Sequence, residues 1–226
     1  QLHSYGTYHL NQEGGGSHSG NIGGPLVESF DLSGLLAGGA SSAEGQYLSG
    51  EFVNYGGRPI ALYIGPGAHV KDINVLNGAR IHGDIISRWN PAAFSLPGPL
   101  SNYMTDLTFG RKTNSTGKAI PASSDEDFRL HYRGNILGQA SVNVALVGGE
   151  LNYAGTMRVH SFSMDAHTRL FTEFNNGNPS IIEAGDNVTL ASGSGIGFAP
   201  SPFSYGRQLT QGGNAVLRFT QSLPAN

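Results

Sequence analysis

Eight histidines and sixteen acidic side chains are the groups through which this chain could do chemistry. His160, Asp165 and His167 lie close together, a His/Asp grouping of the kind that ligates divalent metal. On a continuous strand Asp165 and His167 share one face and His160 takes the other. Exposed turn and strand positions therefore explain the three better than a metal does. His3, His9 and His18 sit in a Gly-rich N-terminal stretch without ligand spacing. His69 and His82 are expected on the outside of strands, because Val70 and Ile81 take the inside. Ser17 and His18 with an Asp supply the residue types of a hydrolytic triad, but Gly15-Gly16-Ser17-His18 is not a Gly-x-Ser-x-Gly elbow. Asp125-Glu126-Asp127 are adjacent acids in a polar loop, whereas glycoside hydrolysis needs two carboxyls facing each other across a cleft. Gly193-Ser194-Gly195-Ile196-Gly197 lacks the Lys-Ser/Thr ending of a phosphate loop and reads as a flexible loop. No catalytic residue, metal ligand or cofactor is expected. The sequons Asn114-Ser115-Thr116 and Asn187-Val188-Thr189 matter only where the source glycosylates.

Aromatic residues are the stronger lead. Trp89 and Phe94 flank Pro91, and Tyr103 and Phe109 follow. These four define a candidate contact surface. The alternative is that they cap the core where regular structure is interrupted.

The elements that must position these residues are short strands. The chain has 226 residues, of which 34 are Gly and none is Cys, and 13% are charged, for a net charge of −3. Such a composition disfavours a helical bundle. It excludes disulfide scaffolds and zinc–thiolate sites, and it argues against nucleic acid as the partner. No apolar run reaches the length of a membrane-spanning helix. Apolar runs of three to six residues recur from about Leu26, among them Ile60–Ile64, Ser141–Leu146, Met157–Val159 and Val188–Leu190. They have period-2 character and β-branched or aromatic content.

Small motifs repeat between these runs. Gly67-Ala68-His69-Val70 returns as Gly78-Ala79-Arg80-Ile81, and Gly83-Asp84-Ile85-Ile86 as Gly134-Asn135-Ile136-Leu137. Gly50-Glu51-Phe52 is echoed by Gly149-Glu150-Leu151. Short strands joined by tight Gly, Asn and Asp turns point to an all-β chain, a right-handed parallel β-helix, with a β-sandwich as the alternative. Coils of about 22 residues stacked at the ordinary strand spacing make a rod of about ten coils. Asp72, Asn77, Asp84 and Asn135 are placed to form polar ladders between coils. Residues 1–25 read as a flexible Gly-rich segment and 26–226 as the β-helix domain. The Pro-rich stretch 88–127 reads as an excursion from the rod, with one or two helical turns in Leu100–Leu107. Ala191–Gly206 reads as a surface loop.

The region from Tyr47 to Leu170 resembles the passenger segment of bacterial autotransporters, and more narrowly the stretch that follows the protease domain in their subtilisin-like members. The residues carrying this are Ala61–Ile64 with Gly67–Val70, Ile73–Ser87, Leu107–Gly110, Gly134–Ile136 and Gly148–Gly155. The resemblance implies an excised piece of a secreted passenger at the surface of a Gram-negative bacterium. Its partners would be an attached N-terminal module and a C-terminal outer-membrane barrel. No barrel-type strands occur here, and the His-Gly-Thr and Gly-Thr-Ser-Met motifs of the family's proteases are absent. No catalytic residue carries over. The expectation is a non-catalytic stalk that supports folding, secretion and display of a module such as a serine protease. The alternatives are a self-associating adhesin or filament subunit and a polysaccharide-active β-helix.

Overall fold

A computed structural model describes residues 4–5, 8–10, 27–37, 60–66, 68–123, 127–173, 180–198 and 219–221. Strands β1 (Ser4–Tyr5), β2 (Tyr8–Leu10), β3 (Val27–Leu32), β4 (Leu35–Ala37) and β5 (Ile60–Ile64) come first. β6 (Val70–Leu76), β7 (Arg80–His82) and β8 (Asp84–Ser87) follow. Two 3-10 turns, Pro91–Ala93 and Leu100–Tyr103, then precede β9 (Thr105–Thr113) and β10 (Ala119–Pro121). The chain continues through β11 (Arg129–Arg133), β12 (Ile136–Leu146), β13 (Glu150–Ala154) and β14 (Thr156–Met164). It ends in β15 (Arg169–Thr172), β16 (Ile181–Leu190), β17 (Gly195–Phe198) and β18 (Phe219–Gln221). The described residues form no α-helix.

The protein is all-β, and its strands pair in parallel. Among the described residues only the β9–β10 hairpin is antiparallel. Three columns of parallel strands result. In one, β6 pairs with β3 and β9, β9 with β12, β12 with β14 and β14 with β16. In the second, β5 pairs with β8 and β8 with the first residues of β12. In the third, β11, β13, β15 and β17 follow one another, and β4 pairs with β7 in a separate three-stranded sheet whose β7 lies against β11. The first two columns meet inside β12, whose pairing with β14 jumps between Gly138 and Asn143. Antiparallel pairing is what a β-sandwich requires, so that alternative does not describe these sheets.

Alternation within each strand decides what goes inside. In β11 Leu130 and Tyr132 are buried while Arg129, His131 and Arg133 are exposed. Parallel in-register pairing then stacks like on like. Leu130 pairs with Leu151, Leu151 with Leu170 and Leu170 with Ile196. Ile73, Leu107, Val144, Phe162 and Val188 form a second such row. The buried members of these rows join in one apolar cluster running from Phe30 to Ala184, while Ile196 at the end of its row is exposed. Ile60, Tyr63 and Ile86 form a second, smaller cluster. Burial of each large aliphatic side chain stabilises by roughly 1.5–3 kcal/mol.

Of the repeated motifs, Gly83–Ile86 stacks on Gly134–Leu137, whereas Val70 and Ile81 of the other described pair lie in different sheets. Ile85 and Ile86 lie beside Ile136 and Leu137 in register, and Ile136 beside Met157. Glycine is required at these corners for space. A Cβ on Gly155 would fall on the Gly134 carbonyl, and one on Gly148 would fall on the Ala122 carbonyl.

Four expectations are revised in detail. The step from one pairing partner to the next is near 22 residues in places, 21 from Arg129 to Glu150 and 19 from Glu150 to Arg169. Elsewhere it is longer, 34 from Asp72 to Asp106, because the intervening turns carry inserted chain. The stretch 88–127 is not one excursion: Asp106–Phe109 returns to the sheet between β6 and β12. Its two departures are residues 88–104 and the β9–β10 hairpin. Within Ala191–Gly206, Gly195–Phe198 is a strand on β15 rather than a loop, and the residues after it lie outside the described ones. Within residues 1–25, β1 and β2 pair with β4 and β5, and the rest lies outside the described residues.

Gly148→Ala is expected to cost about 3 kcal/mol, because a backbone carbonyl must move to admit one methyl. Gly117→Ala meets open space and only a positive φ of 82°, so it should cost about 1 kcal/mol. Urea midpoints of the two variants check the difference.

Candidate functional site

The Pro-rich segment between β8 and β9 packs its aromatic residues inward. Trp89 and Phe109 are fully buried and Tyr103 is 8% exposed, while Phe94 is 38% exposed. The four therefore do not form an outward contact surface, and that expectation is corrected. Trp89 stacks on Phe94 with ring centroids 5.1 Å apart. Its indole Nε1–H donates to the Tyr103 carbonyl at 2.7 Å, and the Tyr103 hydroxyl donates to the Pro97 carbonyl at 2.8 Å. Asn90 caps the first 3-10 turn by accepting from the Ala92 N–H at 3.1 Å. These bonds fold residues 89–104 into a plug over the core. Phe109 belongs to the sheet itself, in register with Val75 and Leu146.

His69 corrects a second expectation. It is 1% exposed, not on the outside of a strand. It precedes β6, so strand alternation does not govern it. Its ring stacks on Trp89 at 5.6 Å and tilts against Tyr103 at 6.2 Å. Its Nε2 lies 3.1 Å from the Met104 carbonyl. A carbonyl only accepts, so Nε2 carries the proton. Nδ1 is buried without a hydrogen-bond partner. Burial holds the imidazole below its ordinary pKa, and Lys71 adds to that, while the Met104 carbonyl and Asp106 and Asp72 oppose it. His82 is exposed as expected.

The His160 grouping does not converge. His160 lies on β14, 3.7 Å from Asp186. Asp165 and His167 lie in the turn that follows, not on a strand face, and His167 has a φ of 64°. No group of three metal-ligating side chains occurs among the described residues. Ser17 and His18, His3, Asp125 and Glu126 lie outside the described residues, as does the side chain of His9.

Asp127 closes the hairpin. Its carboxylate meets Lys112 at 2.6 Å and also accepts from the Ser123 hydroxyl and N–H. The Lys112 ammonium, with Ser123, holds its pKa down at about 2. A carboxyl this acidic has no proton to donate at neutral pH. In the loop of the same hairpin Asn114 Oδ1 accepts from the N–H groups of Thr116 and Lys118.

The polar-ladder expectation gains a concrete form at Asp84, which is buried. Its carboxyl oxygens accept from the Asn135 backbone N–H at 2.8 Å and from Asn135 Nδ2 at 3.1 Å. Asn135 Oδ1 in turn accepts from the Thr156 N–H at 3.0 Å. Three levels of strand are thereby tied side chain to backbone. The Tyr132 hydroxyl, 3.0 Å from the carbonyls of Gly83 and Asn135, closes the same corner. Asp72 takes part in an outer row instead, in register with Ser29 and Asp106. That row continues as Asn143 and Ser161, where Asn143 donates to Asp106 at 2.9 Å and Ser161 to Asn143 at 2.7 Å. Asn77 is an exposed turn residue whose N–H donates to the Arg111 carbonyl.

Sequence reasoning passed over Glu173. It is buried at the end of the third column and takes two hydrogen bonds from Arg133, at 2.8 and 3.1 Å. No motif flags it; only the strand pairing brings the two residues together. No protein-family model matches the chain, and comparison with curated proteins and with solved structures gives no match.

Asp84→Ala leaves the Asn135 N–H without its acceptor and is expected to cost about 2 kcal/mol. Asp186→Ala, at an exposed position, should stay within about 0.5 kcal/mol of the parent. Thermal midpoints check the pair. Asp127 stabilises its hairpin above the ordinary carboxylate range, and that contribution is lost as pH falls from 3.8 towards about 2. Carboxyl NMR titration should show the low midpoint, and Lys112→Met should return it towards 3.8.

Proposed function

We propose that the chain is a length of right-handed parallel β-helix and serves as the non-catalytic stalk of an autotransporter passenger. The observation that carries this reading is the in-register parallel stacking in three columns around one continuous core. A coil that returns onto the same three columns is the economical way to connect such strands, and parallel crossovers are right-handed. Such a coil needs no covalent staple, grows by templated addition, and keeps an attached module clear of the membrane. The polar outer row of Asp106, Asn143 and Ser161 is bonded within itself, which suits a solvated wall. Asp127 is engaged by Lys112, which weakens the polysaccharide-active alternative. The location that follows is the surface of a Gram-negative bacterium, with a module such as a serine protease on the N-terminal side and an outer-membrane barrel on the C-terminal side.

The test is the extent of the native polypeptide, read by mass spectrometry of surface material. Peptides of a protease domain upstream and a barrel downstream are expected. A native polypeptide running only from Gln1 to Asn226 would falsify the stalk and favour a self-associating surface protein. The purified chain is expected to release no reducing sugar from bacterial or plant glycans. Release that disappears in Asp127→Asn would overturn the non-catalytic assignment.

A further inference from the structure

The segment between β8 and β9 is bound to the rest of the protein in an unusual way. Residues 90–104 contain no Asp, Glu, Lys, Arg or His. Charge therefore plays no part in holding them down. They are held by Trp89, which lies beneath Phe94, by the apolar packing of Pro91, Leu96, Tyr103 and Met104, and by the Met104 carbonyl at their far end, which accepts a hydrogen bond from His69 Nε2–H. His69 stands at the base of β6, outside the segment, and touches both ends of it: Trp89 before the first 3-10 turn and Tyr103 with Met104 after the second. One imidazole thus joins the two ends of a fifteen-residue clasp.

We propose that His69 is the latch of an acid-opened clasp: while its imidazole is neutral it holds residues 90–104 over the core, and its protonation releases them. The geometry gives the reason. A second proton on the ring must go to Nδ1, which is buried and faces no acceptor. A cationic donor in that position costs several kcal/mol unless it reaches water or a new partner. The sheet residues behind it are fixed by pairing on both sides, with β6 held between β3 and β9. The clasp is paired to no strand, and its surface residues Phe94 and Leu100 are already 38% and 47% exposed. The weakest part of the surroundings is therefore the clasp itself.

The charged groups around His69 do not remove this cost. Lys71 on β6 opposes the proton, and Asp72 on β6 and Asp106 on β9 favour it. β5 carries no charged residue, and the clasp has none. Burial is the largest influence and keeps the folded imidazole below its ordinary value of 6.5. The opened state, with the ring in water, binds the proton more readily. Closure is therefore fully favoured above pH 6.5 and is lost as pH falls from there through the lowered folded value. Opening uncovers Trp89 and Tyr103 beside Phe94 and Leu100, and so presents an aromatic surface only in acid.

Trp89 is the only tryptophan of the chain, so the latch reports on itself. Acrylamide quenching of its fluorescence is measured from pH 7.5 to 4.5, with far-UV circular dichroism on the same samples. The expected result is a reversible rise in quenching of several fold, with a one-proton midpoint below 6.5 and no change in the sheet signal. His69→Phe keeps a flat ring on Trp89 but cannot take the proton; its quenching should stay low across the range. Should that variant fail to close at neutral pH, NMR of the parent decides instead. The His69 ring and the Trp89 indole N–H must then shift with a common midpoint. Three results overturn the proposal: flat quenching, quenching that rises only as the sheet signal is lost, or a Trp89 indole that moves at a different pH from His69.

Discussion

Register is the constraint on which the rest of this protein depends. Strands that pair in parallel place residue upon residue, and side chains alternate along each. A slip of one residue would turn every inward row outward. Leu130, Leu151, Leu170 and Ile196 share a row because their backbones are aligned to the residue. The alignment is pinned at the corners as well as by the polar row Asp106, Asn143 and Ser161 along one flat. Asp84 accepts from the backbone N–H and the side-chain Nδ2 of Asn135, and Asn135 Oδ1 accepts from the Thr156 N–H, so three levels cannot move independently. Gly155 lies so close over the Gly134 carbonyl that no side chain fits between them. Space and hydrogen bonding thus enforce the same register at the same corner.

A structure pinned in this way tolerates chain leaving and rejoining it. Between β8 and β12 the chain makes two departures, yet Ile85 still meets Ile136 and Leu107 still meets Val144. The departures are closed by different physics. The β9–β10 hairpin is locked on its solvent side by Lys112 and Asp127. The segment 88–104 is locked from within by Trp89, Tyr103 and His69. The first lock is strong where carboxylates are ionised, the second where imidazoles are neutral. The outer faces add ion pairs between levels, such as Arg158 with Glu183 at 2.6 Å. Exposed pairs of this kind contribute little to stability, and they leave the flats polar.

Much of the wall was legible in the residues. Strand type follows from period-2 alternation, as in Arg129–Arg133, and the stacking of Gly83–Ile86 on Gly134–Leu137 from their shared pattern. The aromatic residues could be named but not oriented. Trp89, Phe94, Tyr103 and Phe109 are of a type that serves equally as surface or as plug.

What only the tertiary structure decided is which residues meet across many turns. His69 precedes its strand, so its side chain obeys no alternation; the return of Met104 thirty-five residues later buries it. Glu173 finds Arg133 forty residues away because β11, β13 and β15 lie side by side. Composition and local pattern determine that this chain makes short strands and tight turns, since those follow from backbone conformation and side-chain period, whereas the tertiary structure decided that the strands pair in parallel. The partners of its polar groups depend on the length of chain between coils. That length varies with each inserted loop, and no local rule encodes it.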